Sequence, residues 1–424
     1  MLDRDLIRRH PDTVRHGIAR KRLDVSIVDQ FLAADEQWRA TLLELERAQA
    51  ESNRISKNIG KLMAEGKRDE AEAAKAETRD LKARIAELEA ESRTHEDALR
   101  QIELDMPNLP HDSVPDGDAD TIFQVVREGG HLRQFDFTPA AHWDLAERLH
   151  LVDFARGAKI AGSGFPVYVG AGARLLRAVI TFMVNFQTER GYQEVFPPYL
   201  VNRASLVGTG QLPKFEEDLY ASTDDLFLIP TAEVPITNLY RDEILDADAL
   251  PIRLCGYSAC FRREAGAAGK DTRGLQRLHQ FDKVEMVKFA TPETSYAELE
   301  TMTDDAVAVL EALQLPYRVI EICANDIGAK GSKQYDVEVY SPAMEKWLEV
   351  SSCSNFEAYQ SRRANIRYRP EPGAKPEFVH ILNGSALGIP RVYSTILETF
   401  QRADGTIEVP AVLQPYFGGG HLGG

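Results

Sequence analysis

Apolar side chains recur at alternating intervals of four and three residues between positions 27 and 106. This heptad spacing predicts two long helices packed side by side, and Gly66 between the runs predicts the point of reversal. About 36 residues per helix give a projection of about 54 Å at about 1.5 Å per residue. The first run is Ile27, Phe31, Ala34, Trp38, Thr41, Leu45, Ala48, Ser52, Ile55, Ile59 and Leu62; the second is Leu81, Ile85, Leu88, Ser92, His95, Leu99, Ile102 and Met106.

The purpose of this rod stays open at this point. It fits a probe for a large partner, but it also fits a spacer or a dimerisation rod. Polar residues at several interface positions, such as Thr41 and Ser92, predict flexibility rather than high stability. The preceding residues 1–25 carry a cluster of cations, either as a solvated helix and turn or as a patch that faces phosphates.

Composition narrows the class of protein. The 424 residues are 43% hydrophobic and carry a net charge of −16, which argues against a general nucleic-acid binder but leaves room for a local basic patch. No apolar run is close to about 20 residues, the length of a membrane-spanning helix. The start MLDRDLIRRH is too charged for a secretory signal. The four cysteines form no CxxC pair, so we expect reduced core thiols in a cytoplasmic protein.

A proline-rich segment at 106–120 marks the domain boundary. We expect an N-terminal domain over 1–110 and a second domain over 111–424. Hairpin-like strands with intervening amphipathic helices predict an α+β fold for the second, with a mostly antiparallel sheet flanked by helices. Predicted elements are strands at 167–169 and 335–350, an edge strand in 191–200, helices at 172–189 and 293–314, a glycine-punctuated loop at 205–215, a strand, polar turn and helix start at 227–240, a strand, turn and helix at 378–400, and a mobile tail GGGHLGG.

The stretch 257–289 carries the densest chemistry. Two runs with strand-like alternation flank a charged, glycine-rich loop that contains Lys270 and Arg273. Because side chains on a strand repeat every two residues, one face would present several cations, two carboxylates and an aromatic ring. Such a face suits a flat base, phosphates and a zwitterion. Its members are Cys260, Arg262 and Glu264 on the first run and Arg277, His279, Phe281, Lys283 and Glu285 on the second.

Two further stretches point to the same site. Thr231, Ala232 and Glu233 follow a predicted strand, and residues 383–391 combine small residues with Arg391 near a helix start. Small residues permit close approach of a ligand, and a helix start favours anions.

These stretches together resemble the class II aminoacyl-tRNA synthetases. FRRE, followed by a loop and HQFDKVE, looks like motif 2, GYQEVFPPYL like motif 1 and GSALGIPR like motif 3. The signatures GTGQLPKF, PTAEVPITN and NGSALGIPR, with the N-terminal rod, resemble the seryl-tRNA synthetases of bacterial type. Gly164 in AGSGF departs from the basic residue of many members, and it lies outside the three motifs.

The resemblance implies activation of L-serine by ATP to seryl-adenylate, then transfer of serine to the 3′ end of tRNA(Ser), with tRNA(Sec) as a further acceptor. It implies Mg²⁺ as cofactor, a homodimer formed through motif 1, and a rod that grips the tRNA body. Lys270 and Arg273 would meet the acceptor end, and His279 the γ-phosphate.

Site residues follow from the resemblance position by position. Arg262 and Arg391 are the expected catalytic residues, and Glu349 and Ser352 the expected metal ligands. The ATP-binding set is Arg262, Arg263, Glu264, Phe281, Glu349, Val350, Ser351, Ser352 and Arg391, and the serine-binding set is Thr231, Ala232, Glu233, Arg262, Glu285, Asn383 and Ser385.

Plainer interpretations exist for each residue. Arg262 and Glu264 could form a cross-strand ion pair, Phe281 could belong to the core, and Arg391 could cap a nearby carboxylate. Glu349 and Ser352 could be an ordinary strand end, and His279 a structural strand histidine. Lys270 and Arg273 are most simply part of a mobile charged loop. At the level of the whole chain, the rivals are an enzyme that adenylates an amino acid for a carrier protein and a non-catalytic rod protein. The rod disfavours the first rival, and the intact charged motifs disfavour the second.

Overall fold

The computed structural model describes residues 1–264 and 273–423, and these form two compact units. One unit comprises Leu2–Pro107; the other begins at Asn108 and includes Met1.

The first unit consists of helices. Its helices are α1 (Arg4–Arg9), α2 (Pro11–Arg20), α3 (Ser26–Ala64) and α4 (Arg68–Asp105). Gly66 lies in the turn between α3 and α4 with a φ of +79°, a conformation that glycine adopts without steric cost. The predicted pair of long helices with a reversal at Gly66 is therefore confirmed.

Side chains along the contact between α3 and α4 are buried at the predicted spacing. Phe31 and Leu99 are fully buried, and the polar Ser52 and Ser92 are buried as well. At the start of α3 the pattern differs, because Asp35 is buried rather than its neighbour Ala34. Asp35 can be buried because Arg8 and Arg39 pair with its carboxylate at 2.6 and 2.8 Å.

The second unit contains an almost entirely antiparallel sheet. Its strands are β1 (Phe123–Gly129), β2 (Val152–Asp153), β3 (Val167–Tyr168), β4 (Gln193–Glu194), β5 (Leu200–Asn202), β6 (Leu226–Leu228), β7 (Ile244–Asp246), β8 (Ile252–Phe261), β9 (Gln280–Ala290), β10 (Tyr317–Ile322), β11 (Lys333–Ser341), β12 (Lys346–Asn355), β13 (Arg367–Arg369), β14 (Glu377–Phe378), β15 (His380–Gly388), β16 (Ile407–Glu408) and β17 (His421–Leu422). Eight of them form the main sheet in the order β1-β10-β11-β12-β15-β9-β8-β4. Only the β4–β8 pair in this sheet is parallel.

Helices pack against this sheet and complete the expected α+β fold. The longer helices, at Ala171–Glu189, Ser295–Ala312 and Ile389–Thr399, contribute to the buried core through side chains such as Leu175, Leu310 and Leu397. The helices of this unit are α5 (His142–Arg148), α6 (Phe154–Ala161), α7 (Ala171–Glu189), α8 (Arg203–Gly208), α9 (Glu233–Thr237), α10 (Ser295–Ala312), α11 (Tyr359–Ala364), α12 (Ile389–Thr399) and α13 (Gln414–Phe417).

The predicted hairpin at 257–289 is formed by β8 and β9. These strands pair antiparallel from Ile252 opposite Phe289 to Phe261 opposite Gln280. The extended segment before Pro197 is β4, at the edge of the sheet, where a missing N–H donor is tolerated.

Two predictions of irregular structure were wrong. Residues 203–208 are helical, because the Asn202 side chain caps the helix by accepting a 3.0 Å bond from the Ser205 N–H. The tail is not wholly mobile, because β17 pairs with β16 and Leu422 is buried. Local composition favoured irregular structure in both places. The Asn202 cap stabilises a helix in the first, and pairing with β16 forms a strand in the second.

No helix in the described part of the chain is long and apolar enough to cross a membrane. All four cysteines are free and buried, as expected.

Candidate active site

A cavity of about 740 Å³ opens between the motifs named above. Strands β9, β12 and β15 contribute to it, together with the segment after β8, the start of α12 and the segment that leads into α9. Thirteen of the predicted site residues line it: Thr231, Glu233, Arg262, Glu264, Phe281, Glu285, Glu349, Val350, Ser351, Ser352, Asn383, Ser385 and Arg391.

Strand β9 turns three alternating side chains into the cavity. Phe281, Lys283 and Glu285 all line it, as the two-residue repeat of a strand predicts. Glu285 lies opposite Ser385 of β15 and Gly256 of β8 in the sheet register. The carboxylate is therefore held by a central strand, which limits its freedom to move.

The other side of the hairpin differs from a regular strand. Strand β8 ends at Phe261, and Glu264 has a φ of +50°. Alternation therefore does not explain how Arg262 and Glu264 both reach the cavity; the chain bends there. The Arg262 N–H donates to the His279 carbonyl at 2.9 Å, and its Nε donates to the Pro230 carbonyl at 3.3 Å.

The plainer interpretation paired Arg262 with Glu264, but the charged side chains of the hairpin have other neighbours. Glu264 pairs with Arg277, whose Nη1 lies 3.1 Å from its Oε2. The Arg262 guanidinium carbon instead lies 5.1 Å from the centre of the Phe281 ring. A cation and an aromatic face thus stand together at the cavity wall.

The predicted serine-binding side chains cluster on the polar side of the cavity. The Thr231 hydroxyl donates to Glu285 at 3.0 Å. Asn383 is buried, and its Nδ2 has no hydrogen-bond partner among the described residues. Because buried polar groups are normally paired, this amide is an available donor for a ligand.

Two residues that sequence reasoning missed support Glu233. Gln360 Nε2 donates to its Oε1 at 2.6 Å, and Lys330 Nζ lies 3.3 Å from the same oxygen. Gln360 is fully buried in α11, and Lys330 belongs to the loop that follows residue 327. Nothing in their local pattern indicated this role, since the contacts span about a hundred residues or more of sequence.

The start of α12 and strand β12 form another part of the cavity wall. Arg391 lies in the first turn of α12 and its Nη1 donates to the Glu349 carbonyl at 2.5 Å. The pairing of β12 with β11 slips at this point, with Ser351 opposite Val337 and Glu349 opposite Glu338. Such a bulge interrupts alternation, which explains how Glu349, Val350, Ser351 and Ser352 can all line one cavity.

Asp336 is a further carboxyl beside this wall that the sequence analysis did not select. Burial, and then the nearby Glu349 carboxylate, raise the pKa of Asp336 to about 7. A hydrogen bond with Ser352 opposes this shift. Repulsion between two carboxyls is relieved by a cation, and Mg²⁺ is commonly held by one or two carboxylates plus substrate phosphates. The residues present therefore fit the ion, although no group of three or more His, Cys, Asp or Glu ligands occurs within residues 1–264 and 273–423.

Two predicted site residues lie away from the cavity lining. Ala232 is buried in a separate apolar cluster with Ile236 and Leu254. The Arg263 guanidinium carbon lies 6.0 Å from the centre of the Tyr220 ring, and its backbone N–H donates to the Asp218 carbonyl.

The region around the hairpin loop is only partly described. Lys270 lies outside the described residues. Arg273 pairs with Asp144 at 3.6 Å and lies over the Trp143 ring. His279 stacks on Phe165 with ring centres 5.3 Å apart.

Gly164 has a structural reason for its departure from a basic residue. Its φ is +81°, and a Cβ there would lie 2.6 Å from His279 Cδ2. A larger side chain at 164 would have to displace that ring.

Comparisons with known proteins match both units. The tRNA synthetase class II core domain (G, H, P, S and T) matches residues 214–400, and the Seryl-tRNA synthetase N-terminal domain matches residues 1–110. A serine–tRNA ligase from Roseiflexus sp. is 52% identical over 99% of this chain and 98% of the relative. The chain belongs to the seryl-tRNA synthetase family.

Other relatives of the family agree over the full length. A serine–tRNA ligase from Desulfitobacterium hafniense is 49% identical over 100% of both chains. The crystal structure of seryl-tRNA synthetase from Pyrococcus horikoshii complexed with ATP has a TM-score of 0.92 and 37% identity, and covers 100% of this chain and 99% of that one. The predicted class II fold and family are thereby confirmed.

Proposed function

We propose that this protein is a serine–tRNA ligase that activates L-serine with ATP and transfers the seryl group to tRNA(Ser). The observation that carries the proposal is one cavity that both Arg262 and Arg391 line, together with Thr231, Glu233 and Glu285. One cavity thus offers cations for phosphates and carboxylates for an ammonium group.

Activation needs charge neutralisation more than a base. The serine carboxylate is already ionised at neutral pH, so the obstacle is its repulsion from the α-phosphate. Arg262 binds the carboxylate and the α-phosphate, and Arg391 binds the outer phosphates. Two fixed cations hold the groups in line and stabilise the charge that develops in the transition state. Pyrophosphate leaves, and seryl-adenylate remains for attack by the tRNA 3′-terminal ribose.

The nucleotide and the amino acid occupy opposite ends of the cavity in this proposal. Phe281 stacks on adenine, Glu264 accepts from its amino group, and the backbone of 349–352 lies along the ATP. On the other side, the amino acid is surrounded by the members of the serine-binding set that line the cavity: Thr231, Glu233, Arg262, Glu285, Asn383 and Ser385. A site that hydrogen-bonds the hydroxyl leaves buried groups unpaired when alanine enters, which gives strong discrimination.

Mg²⁺ is part of the proposal. Glu349 and Ser352, with Asp336 beside them, would hold the ion. It would supply positive charge to the ATP phosphates. The support is the pair of close carboxyls and the hydroxyl at that wall.

The first domain, 1–110, is proposed to bind the tRNA body. Between residues 54 and 84 the paired helices carry nine Lys or Arg and six Asp or Glu, in a chain of net charge −16. A cavity between α3 and α4 in this region is lined by Lys75, Arg79 and Lys82. Clustered cations on a long arm suit a phosphate backbone.

Further parts of the proposal rest on family resemblance. They are a second tRNA acceptor, tRNA(Sec), and a homodimer formed through motif 1 at 191–200. A cytoplasmic location fits both the tRNA substrate and the four buried free thiols.

Pyrophosphate exchange with each of the twenty amino acids, followed by charging of total tRNA, tests the function. Serine-dependent exchange together with serine loaded on tRNA is expected. Serine-dependent exchange followed by transfer only to a carrier protein would refute the proposal. It would also be refuted if none of the twenty amino acids supported exchange.

A further inference from the structure

Lys283 projects from β9 into the cavity, two residues before Glu285, and lay outside the predicted binding set. Its side chain is 9% exposed and that of Glu285 is 2% exposed. The two side chains form an ion pair between Nζ and Oε2. Burying an ammonium group is costly without a specific arrangement of partners.

The lysine also fixes the hydroxyl of Thr231. Lys283 Nζ donates to Thr231 Oγ1 at 2.8 Å, and the Glu233 backbone N–H donates to the same oxygen at 3.2 Å. The Thr231 hydroxyl itself donates a hydrogen bond to Glu285 Oε2 at 3.0 Å. A hydroxyl has one donor and two acceptor sites, so all three are used. Thr231 therefore has no donor left for the substrate, and its hydrogen bond aims Glu285 instead.

Other charged or titratable groups near Glu285 come from each neighbouring element. Arg262 follows β8, Glu233 begins α9, and both line the cavity. Cys260 of β8 and Cys353 of β12 also feel the charge of Glu285. Burial is the main reason that the pKa of each thiol is raised, to about 12 for Cys353, so neither carries charge at neutral pH. The Glu233 carboxylate is bound to Gln360 and Lys330.

We infer that Lys283 is a positioning residue for serine activation, which keeps Glu285 ionised and aimed at the serine ammonium. The inference rests on the proposed function. Lys283 does this without touching the reacting atoms. Without it, a buried carboxyl would favour its neutral form, because burial disfavours charge. A protonated Glu285 cannot pair with the ammonium group of serine.

Lys283→Met tests the inference through the pH dependence of serine use in pyrophosphate exchange. We expect the serine KM of the variant to rise as pH is lowered from about 8 to 6, by at most about tenfold per pH unit, the limit for a single protonation. The serine KM of the wild type should vary by less than about threefold over the same range, because its Lys283–Glu285 pair is intact. The KM for ATP should stay within about twofold, since the nucleotide side is unchanged.

Lys288→Met is the matched control. Lys288 lies on the same strand, is fully buried and pairs with Glu298 at 2.9 Å, but it does not line the cavity. Its loss should lower stability without making the serine KM depend on pH. A pH dependence equal to that of Lys283→Met would show that loss of any buried lysine suffices, and would overturn the inference.

Thr231→Val keeps the test decisive if Lys283→Met does not fold. This variant retains the Lys283–Glu285 pair and should raise the serine KM by a constant factor at every pH. A pH-dependent rise would overturn the inference, as would an unchanged or lower serine KM for a folded Lys283→Met. If the wild type shows no serine-dependent exchange, the proposed function itself fails, and this outcome is distinct from the others.

Discussion

The Arg391 side chain connects the first turn of α12 to the backbone of strand β12 at the cavity wall. Its Nη1 donates to the Glu349 carbonyl at 2.5 Å, which holds the planar guanidinium at the cavity. The group has five N–H donors in a fixed fork and keeps its charge at all relevant pH values. The alternative in which Arg391 only caps a carboxylate is not what the structure shows, because the acceptor is a backbone carbonyl. The arginine is thus anchored through the backbone.

Arg391→Ala should lower serine-dependent pyrophosphate exchange by about 100- to 1000-fold, the usual cost of removing one group that stabilises transition-state charge. Arg402→Ala is the control, because Arg402 pairs with Glu408 at 2.9 Å near the surface and does not line the cavity. It should leave exchange intact. Exchange at the normal rate in Arg391→Ala would refute its role at the phosphates.

At the level of elements, alternation and punctuation in the sequence predicted most of the strands and helices that carry the cavity lining. The β8–β9 hairpin, the strand and helix around 380–399, and the segment at 231 were all placed correctly. Their signals are local, because each depends on residues a few positions apart. The sites of the bend after Phe261 and of the bulge near Val350 carry no such signal, and both re-aim side chains that the cavity needs.

Contacts between side chains that are far apart in sequence could not be predicted either. Asp336, Lys330 and Gln360 acquire their importance only when strands and helices meet. The same holds for Glu398, whose carboxylate accepts from His142 Nδ1 at 2.7 Å and from the Ser341 hydroxyl.

Helix α5 shows how one element supports the edge of the active site. His142 is fully buried, and its Nε2 accepts from the Leu275 N–H at 3.1 Å. Leu275 lines the cavity. The imidazole therefore connects Glu398 of α12 to the chain that enters β9.

His142→Phe should lower the free energy of unfolding by about 1–3 kcal/mol, because Glu398 and the Leu275 N–H would lose a buried partner. Urea unfolding measures the change. His131→Phe, at an exposed position, serves as the control and should shift stability by less than about 0.5 kcal/mol. Equal stability of the two variants would mean that the buried imidazole contributes nothing.

At the scale of the whole molecule, charge is distributed unevenly. The chain is acidic overall, yet residues 54–84 around the turn between α3 and α4 hold more cations than anions. The side chains proposed for adenylation all lie after residue 230, in the second unit. If the first unit binds tRNA as proposed, we expect mutations to separate activation from tRNA binding.

Deleting residues 30–100 should leave serine-dependent pyrophosphate exchange within about twofold and lower tRNA charging by at least about 100-fold, because contacts to several phosphates would be lost.

A gentler variant in the full chain changes Lys75, Arg79 and Lys82 to Glu while keeping the helices. Its kcat/KM for tRNA should fall and depend less steeply on salt, since each phosphate contact contributes about 0.9 to the salt slope on a duplex. Glu substitutions at Arg362, Arg369 and Lys375 of the second unit give a control of equal charge change. Undiminished charging by the deletion variant would remove the rod from tRNA recognition, and an equal loss in the control would reduce its role to net charge.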